Sequence, residues 1–412
     1  MTINESSHMI FSRYEAILVA MLTIVQFTVV LDFAVMAPLG SQLIDALDIT
    51  THQFGILVSA YALSAGASGF LLAGFIDRFD RKKILLMMYI GFLIGTIFCA
   101  TAPSYYFLMG ARVVAGVFGG VMSGITFAIV TDYFRYEIRG RVMGFIQMAF
   151  SASQILGIPL GLYLAHKWSW HVPFYLVVSI GLINLIMIKR FMQPIPSKYN
   201  PELSKSYFQV IKRIFSNKKY LVAFSTTFFL ATGGFLLQPY ITPHLVFDLN
   251  YSEEQLPYVF FSAGIATLIG SPFFGKLSDS WGKYKLFVLG SIMAGIFMLW
   301  FVNVPAGNIF MVAVAFSCMM LFVSSRIISA TAMITAIPEP QERGAFMNVN
   351  SAIQQSSGGI ASILGGAVLV DAVDGKGFQN FNLLGIITFI SILICIGLMY
   401  RVHRIVQQKV VK

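Results

Sequence analysis

Charge is scarce in this chain. Asp, Glu, Lys and Arg supply 11% of its 412 residues, against 57% hydrophobic residues, and a mean hydropathy of +0.78 excludes an ordinary soluble globular domain. Cysteine is nearly absent. Cys99, Cys318 and Cys395 are the three present, each within an apolar run where a lone thiol acts as a small hydrophobe, so neither a disulfide nor a metal site is expected. A cleavable leader is missing too: residues 1–15 are polar, and the first apolar run is too long for the apolar stretch of a signal peptide. That run is expected to stay as a membrane helix. The sequence offers no nucleotide-binding loop, metal-ligand cluster or nucleophile–base arrangement, which argues against an enzyme, against a cofactor and against ATP as energy source.

Long apolar runs take their place. Crossing a bilayer needs about 20 apolar residues, and twelve runs qualify: 16–39, 54–76, 84–102, 105–130, 142–165, 171–191, 221–243, 257–275, 286–304, 309–337, 346–370 and 381–400. They are called spans 1 to 12 below. The expected fold class is an all-α membrane protein of twelve transmembrane helices. An even number of spans puts both termini on one side. Of 28 Lys and Arg residues, 24 fall on that side; Lys167 and Lys376 lie opposite, and Arg112 and Arg326 lie within spans. This bias places both termini in the cytoplasm of a bacterial-type inner (plasma) membrane. Asp45, Asp48, Asp248, Glu253, Glu254, Asp371 and Asp374 mark the opposite face as acidic. The net charge of +10 then reflects topology and attraction to anionic lipid rather than nucleic-acid binding, because the basic residues flank spans.

Most loops are short, but residues 192–220 separate spans six and seven and carry Lys198, Lys205, Lys212, Arg213, Lys218 and Lys219 around Pro194 and Pro196. Phe208, Ile211 and Phe215 recur there at helical spacing, as in a helix lying in the membrane interface; a solvated basic linker is the alternative. Either way the segment divides the chain into six-helix bundles at 1–191 and 221–412. The two halves look like repeats. Arg139-Gly140 opens span 5 and Arg343-Gly344 opens span 11 at an offset of 204, and the turns "DRFDRKK" from Asp77 and "DSWGKYK" from Asp279 follow spans 2 and 8 at an offset of 202. Nearly equal offsets point to duplication, hence to two pseudo-symmetric bundles.

Those turns carry a family resemblance. "AGFIDRFDRKK" (73–83) and "GKLSDSWGKYK" (275–285) are similar to the loop signature of the major facilitator superfamily, G-x-L-a-D-r-x-G-r-k-x. The second copy matches at Gly275, Asp279, Gly282 and Lys283; the first has Ala73 and Asp80 at the glycine positions but keeps Asp77, Arg78, Arg81 and Lys83. In that family the loop acts as a latch in which the Asp sits near a helix end and the Arg pairs with an acidic residue at the foot of the fourth helix. The resemblance implies that role for Asp77, Arg81 and Asp132, with Asp279 and Lys283 in the second copy; the alternative is that the basic residues only anchor topology. "RVVAGVFGG" from Arg112 resembles the fourth-helix motif R-x-x-x-G. "GIPLG", with Gly157, Pro159 and Gly161, resembles the fifth-helix antiporter motif g-x-x-x-G-P-x-x-G-G, although Ser153 and Leu162 replace two of its glycines. Small residues at this spacing let helices approach and bend, as packing between the halves requires. In the family the motif goes with export.

Charges left inside the membrane are expensive and functional by default. Asp32 is the one of 18 acidic residues well inside a span. Span 1 runs outward and span 4 inward, so Asp32 and Arg112 each lie seven residues from the outer end, about 10 Å below the boundary. Matched depth makes an ion pair feasible, either as a static tie or as a carboxylate that alternately binds a proton and pairs with Arg112. Burial favours the acid and a guanidinium favours the carboxylate. Arg326 has no acidic partner at its level, and would meet an anionic substrate group, a carbonyl or water. Gln26, Gln147, Gln238, Tyr240, Ser325, Asn350 and Gln354 are polar positions on helices expected to line a substrate cavity; each suits interhelical hydrogen bonding equally.

The resemblance therefore implies a monomeric secondary transporter like the twelve-helix drug:proton antiporters and sugar-efflux proteins, with small amphipathic or polar substrates, protons and lipid as partners. A proton-coupled importer and a non-transporting receptor of the same fold are the alternatives.

Overall fold

The computed structural model describes residues 11–72, 79–196, 207–339, 342–370 and 377–410. Asp77 and Arg78 of the first loop, Lys198 and Lys205 of the linker, Asp371, Asp374 and Lys376 lie outside these residues. In hydrocarbon every backbone polar group must be satisfied within its own segment, which selects helices. Eleven helices among the described residues are long and apolar enough to cross a membrane: Arg13–Val35, Thr51–Leu71, Arg81–Ala100, Tyr105–Tyr133, Ile138–Lys167, Val172–Phe191, Lys218–Asp248, Glu253–Trp281, Lys283–Phe301, Ile309–Ile334 and Phe381–Lys409. They are spans 1 to 10 and 12.

Span 11 is Arg343–Val368, 26 residues long. Its length suffices for crossing, but Asn348, Asn350, Gln354, Gln355 and several serines dilute its hydropathy. Packing along span 2 shelters part of this helix: Asn350 and Gln355 are half-buried, whereas Asn348 and Gln354 stay exposed. Close approach there depends on missing side chains: a methyl group built on Gly66 would sit 2.9 Å from the Ala352 carbonyl oxygen.

Helix starts follow local chemistry. Ser12 and Glu15 form a reciprocal capping box at span 1, as do Thr50 and Gln53 at span 2. The two loop copies turn by different means. Asp80 caps span 3 by accepting a hydrogen bond from the Lys83 amide at 3.1 Å, whereas Gly282 joins spans 8 and 9 with φ of 104°, a conformation that favours glycine. The replacement of glycine by Asp80 in the first copy is thus a change of turn chemistry. Three spans are irregular. Span 4 breaks after Gly119, span 5 contains a π-helical turn over Ser153–Gly157 just before Pro159, and the regular helix of span 7 ends at Phe235 before a 3-10 turn at Gln238–Tyr240 and a π turn at His244–Asp248.

The segment between the halves contains an amphipathic helix, Tyr207–Ser216. Ile211 and Ile214 are buried, Phe215 packs against Phe70 and Phe224 with ring centroids 6.4 and 5.7 Å away, and Arg213 reaches Glu342 at 3.4 Å. This helix is docked on both halves rather than solvated all round.

At the membrane face opposite the termini the halves are clasped. Gln42 donates to Glu253 at 2.7 Å and Ser41 to the other carboxylate oxygen at 3.4 Å. His166 at the end of span 5 stands 3.5 Å from Glu253 and 3.3 Å from Glu254. Below this layer, Tyr240 is fully buried among spans 2, 7 and 11, edge-on to Phe54 at 6.4 Å, and its hydroxyl donates to the Ser362 carbonyl. Span 5 meets span 8 through its π turn and following helix, where a methyl on Gly264 would lie 2.9 Å from Ile155 Cα. Because exposed ion pairs contribute about 0.2–1 kcal/mol, His166→Ala or Glu253→Gln should loosen this face modestly. A cysteine at the buried Ser362 position should then react up to about fivefold faster with a membrane-impermeant maleimide; an unchanged rate would show that the clasp does not hold the halves.

Candidate functional site

The centre of the first bundle holds a complete ion pair. Asp32 and Arg112 are each 0% exposed, and Arg112 Nη1 donates to Asp32 Oδ2 at 2.8 Å and to the Asp32 backbone oxygen at 3.2 Å. Thr96 of span 3 donates its hydroxyl to Oδ1 at 3.2 Å, and the Tyr61 ring of span 2 lies 4.5 Å from the guanidinium carbon. Four helices therefore converge on one carboxylate. Nε and Nη2 of Arg112 have no hydrogen-bond partner, so the cation is met by one carboxylate and one ring face. Helix direction and residue counting bring Asp32 and Arg112 together; Thr96 and Tyr61 escape that reasoning, because a threonine or tyrosine in an apolar run carries no charge to draw attention. A second polar chain was equally silent: Thr28 and Tyr89 share a hydrogen bond of 2.9 Å, and Asn184 of span 6 donates to the Met21 carbonyl at 3.1 Å.

The polar positions expected to line a cavity separate into several environments. Gln26 is buried and exchanges hydrogen bonds with Ser123 of span 4 at 3.0 and 3.1 Å. Asn350, half-buried, accepts from Thr227 at 2.6 Å. Both tie helices within their own half. Gln147 and Gln354 are exposed and Gln238 is half-buried. Tyr240 belongs to the closed layer described above, where its hydroxyl fills the space that side chains on Gly55 and Gly366 would take. Ser325 and Arg326 are buried inside the second bundle, not on its surface. An apolar groove of about 570 Å³ opens between spans 1 and 5 toward the face that carries the termini, lined by Thr23, Ile24, Phe27, Phe145 and Met148 among others.

In the first loop, Arg81 Nε reaches Asp132 Oδ2 at 2.7 Å, both groups nearly buried. The pair joins the start of span 3 to the end of span 4. Asp279 and Lys283 of the second copy are exposed and make no ion pair among the described residues. The repeat is thus unequal, since the second half lacks a counterpart of Asp132 at that place. The fifth-span glycines also act differently from expectation: methyl groups at Gly157 and Gly161 would meet Leu31 at 2.6 Å and Val35 at 2.9 Å. Gly157 and Gly161 let span 5 pack on span 1 within one half, Pro159 follows the π turn, and Gly264 makes the corresponding approach between halves.

The sequence matches the family described as Major Facilitator Superfamily over residues 22–236 and 223–410. The chain belongs to the major facilitator superfamily. Among relatives, it is 26% identical over 344 residues to the "Uncharacterized MFS-type transporter YceJ" of Bacillus subtilis (strain 168), covering 83% of this chain and 86% of that protein. It is 32% identical over 139 residues to "Multidrug resistance protein 3" of the same organism, covering 34% of this chain and 27% of that one. Its fold is similar to a bacterial homologue of the human lysosomal transporter Spinster (TM-score 0.73, 16% identity, covering 97% and 98%). A D-xylose-proton symporter is also similar in fold (TM-score 0.72, 17% identity, covering 93% and 97%). This major facilitator protein is accordingly a multi-pass membrane transporter of small molecules.

For such a transporter, an ion pair sealed at 0% exposure has an energetic consequence. Removing one partner strands a charge in a low-dielectric site, at a cost of about 3–5 kcal/mol. Asp32→Ala and Arg112→Ala should each lower unfolding stability by that order, and the double substitution should lose less than the sum by about 0.5–3 kcal/mol. Thermal and denaturant unfolding in detergent would measure this cycle; strictly additive losses would contradict the contact.

Proposed function

We propose that the protein is a proton-coupled efflux transporter that exports small amphipathic or polar compounds by alternating access, with Asp32 as the proton carrier. The observation that carries this reading is the isolated Asp32–Arg112 pair, 2.8 Å apart and fully buried. A protonated Asp32 no longer attracts Arg112 strongly, and a deprotonated one does, so the proton changes how spans 1, 3 and 4 are tied together. Span 5 follows span 1 because Gly157 and Gly161 pack on Leu31 and Val35, the neighbours of Asp32 in sequence and one turn along. A shift at the carboxylate is thereby passed to the helix that meets span 8 of the other half. The apolar groove beside spans 1 and 5 suits an amphipathic substrate entering from the cytoplasmic side.

Direction is supported by the fifth-span motif and by the relative named for multidrug resistance. The halves 1–191 and 221–412 rock about the site, with 192–220 joining them in the cytoplasm. Both termini share that side, in a bacterial-type inner membrane. The protein acts as a monomer, since each chain carries both halves. We assign the role of cytoplasmic latch to Asp77, Arg81 and Asp132, of which Arg81 and Asp132 are paired.

Two experiments test the reading. A ligand panel read by pH change in proteoliposomes should find substrates that move protons through wild-type protein; Asp32→Asn should abolish that movement while the protein stays folded. Undiminished uphill transport by Asp32→Asn would remove the carboxylate from the mechanism. For the latch, Asp77→Asn or Arg81→Ala should lower transport and shift spin-label distances across the halves toward the inward-open population. An unchanged distribution would reduce the loop to a topological anchor.

A further inference from the structure

The second cation inside the membrane has no anion beside it among the described residues. Arg326 is 2% exposed and lies eight residues, or about 12 Å by helical rise, from the Ile334 end of span 10. It forms no ion pair among the described residues, and its Nε and Nη2 have no hydrogen-bond partner. Its neighbours are neutral. The Cys395 thiol of span 12 is within hydrogen-bonding reach, and a methyl group built on Gly233 of span 7 would stand 3.7 Å from both Arg326 Nη1 and Ser391 Oγ. Gly290 brings span 9 against Ser325, and the Ser325 and Ser291 hydroxyls are also buried without partners.

Arg112 provides the comparison. It is equally buried and leaves the same two nitrogens unbonded, but its charge is met by Asp32 at 2.8 Å. Among the described residues Arg326 has a thiol within reach and no counter-charge. A guanidinium does not escape burial by losing its proton, so an uncompensated one is retained against a large cost. Its two free donors, Nε–H and Nη2–H, lie on one edge of the planar fork, the edge that takes both oxygens of a carboxylate.

We propose that Arg326 is an anion-recognition site of the second bundle, which takes a carboxylate group of the transported substrate as its missing counter-charge. Span 7 controls access. Gly233 puts no side chain between Arg326 and the backbone of span 7, nothing lies within 4 Å of a methyl built on Gly234, and the regular helix ends at Phe235. A small displacement of span 7 at this glycine pair uncovers the guanidinium toward the space between the halves. The inference rests on the transport reading above and sharpens it: the substrate class becomes small amphipathic carboxylates.

The test is a binding measurement on the purified full chain in detergent, at constant ionic strength, by thermal unfolding and intrinsic fluorescence. The probes are sodium benzoate and sodium acetate, their neutral counterparts benzamide and acetamide, and sodium chloride. Benzoate and acetate should stabilise wild-type protein saturably, the amides should not, and chloride should compete only weakly. Arg326→Gln should weaken carboxylate binding at least tenfold, and Arg326→Lys should retain part of it because it keeps charge without the fork. Equal stabilisation by amides and carboxylates in wild-type protein would overturn the proposal even if Arg326→Gln fails to fold. So would wild-type carboxylate binding by Arg326→Gln, or saturation by chloride that leaves no carboxylate response, which would mark a structural halide site. Asp32→Asn should keep carboxylate binding and lose only proton movement, so failure at Arg326 is distinguishable from failure of proton coupling at Asp32.

Discussion

A carboxylate and a guanidinium placed in hydrocarbon must find one another, and much of the first bundle is arranged around that requirement. Asp32 on span 1 and Arg112 on span 4 are both fully buried, so leaving either without the other costs about 3–5 kcal/mol. Spans 2 and 3 complete the site with Tyr61 and Thr96. The pair is stable only while both charges persist, and a proton on Asp32 removes one of them. Under the proposed coupling, such a site has two states separated by a single proton, and the proposal makes the helices that form it the ones that move.

The second bundle is built on the same plan with a different electrostatic outcome. Arg326 is also buried within its bundle, though nearer the face that carries the termini than Arg112 is, and serine, cysteine and glycine surround it. The two halves of a duplicated chain thus divide the labour, one holding its own counter-ion and the other leaving a cation unpaired. The loops diverge in parallel: Arg81 and Asp132 form a close pair, while Asp279 and Lys283 do not. Pseudo-symmetry fixes the architecture, and the halves differ in how their charges are paired.

Much of this was legible in the residues because membrane physics leaves few options. Apolar length revealed the spans, and the residue count from the helix ends paired Asp32 with Arg112. Less visible were features that depend on which face of a helix meets which neighbour. Tyr240 reads as a cavity residue but plugs the seal against Ser362. Gly157 and Gly161 read as contacts between halves but serve span 1. Helical rotation decides such cases, and a single sequence fixes depth better than rotation. Span 11 posed the opposite difficulty, since its polar residues lower its hydropathy, while its length and its packing against span 2 mark it as a span.

The central claim is that Asp32 exchanges a proton within the functional range of pH. Infrared difference spectroscopy on the purified protein, recorded while pH is lowered, observes this without a substrate. The account predicts a protonated-carboxyl band from a buried, slowly exchanging acid that is absent in Asp32→Asn and altered in Arg112→Lys. A wild-type spectrum with no such band, or an identical band in Asp32→Asn, would contradict it.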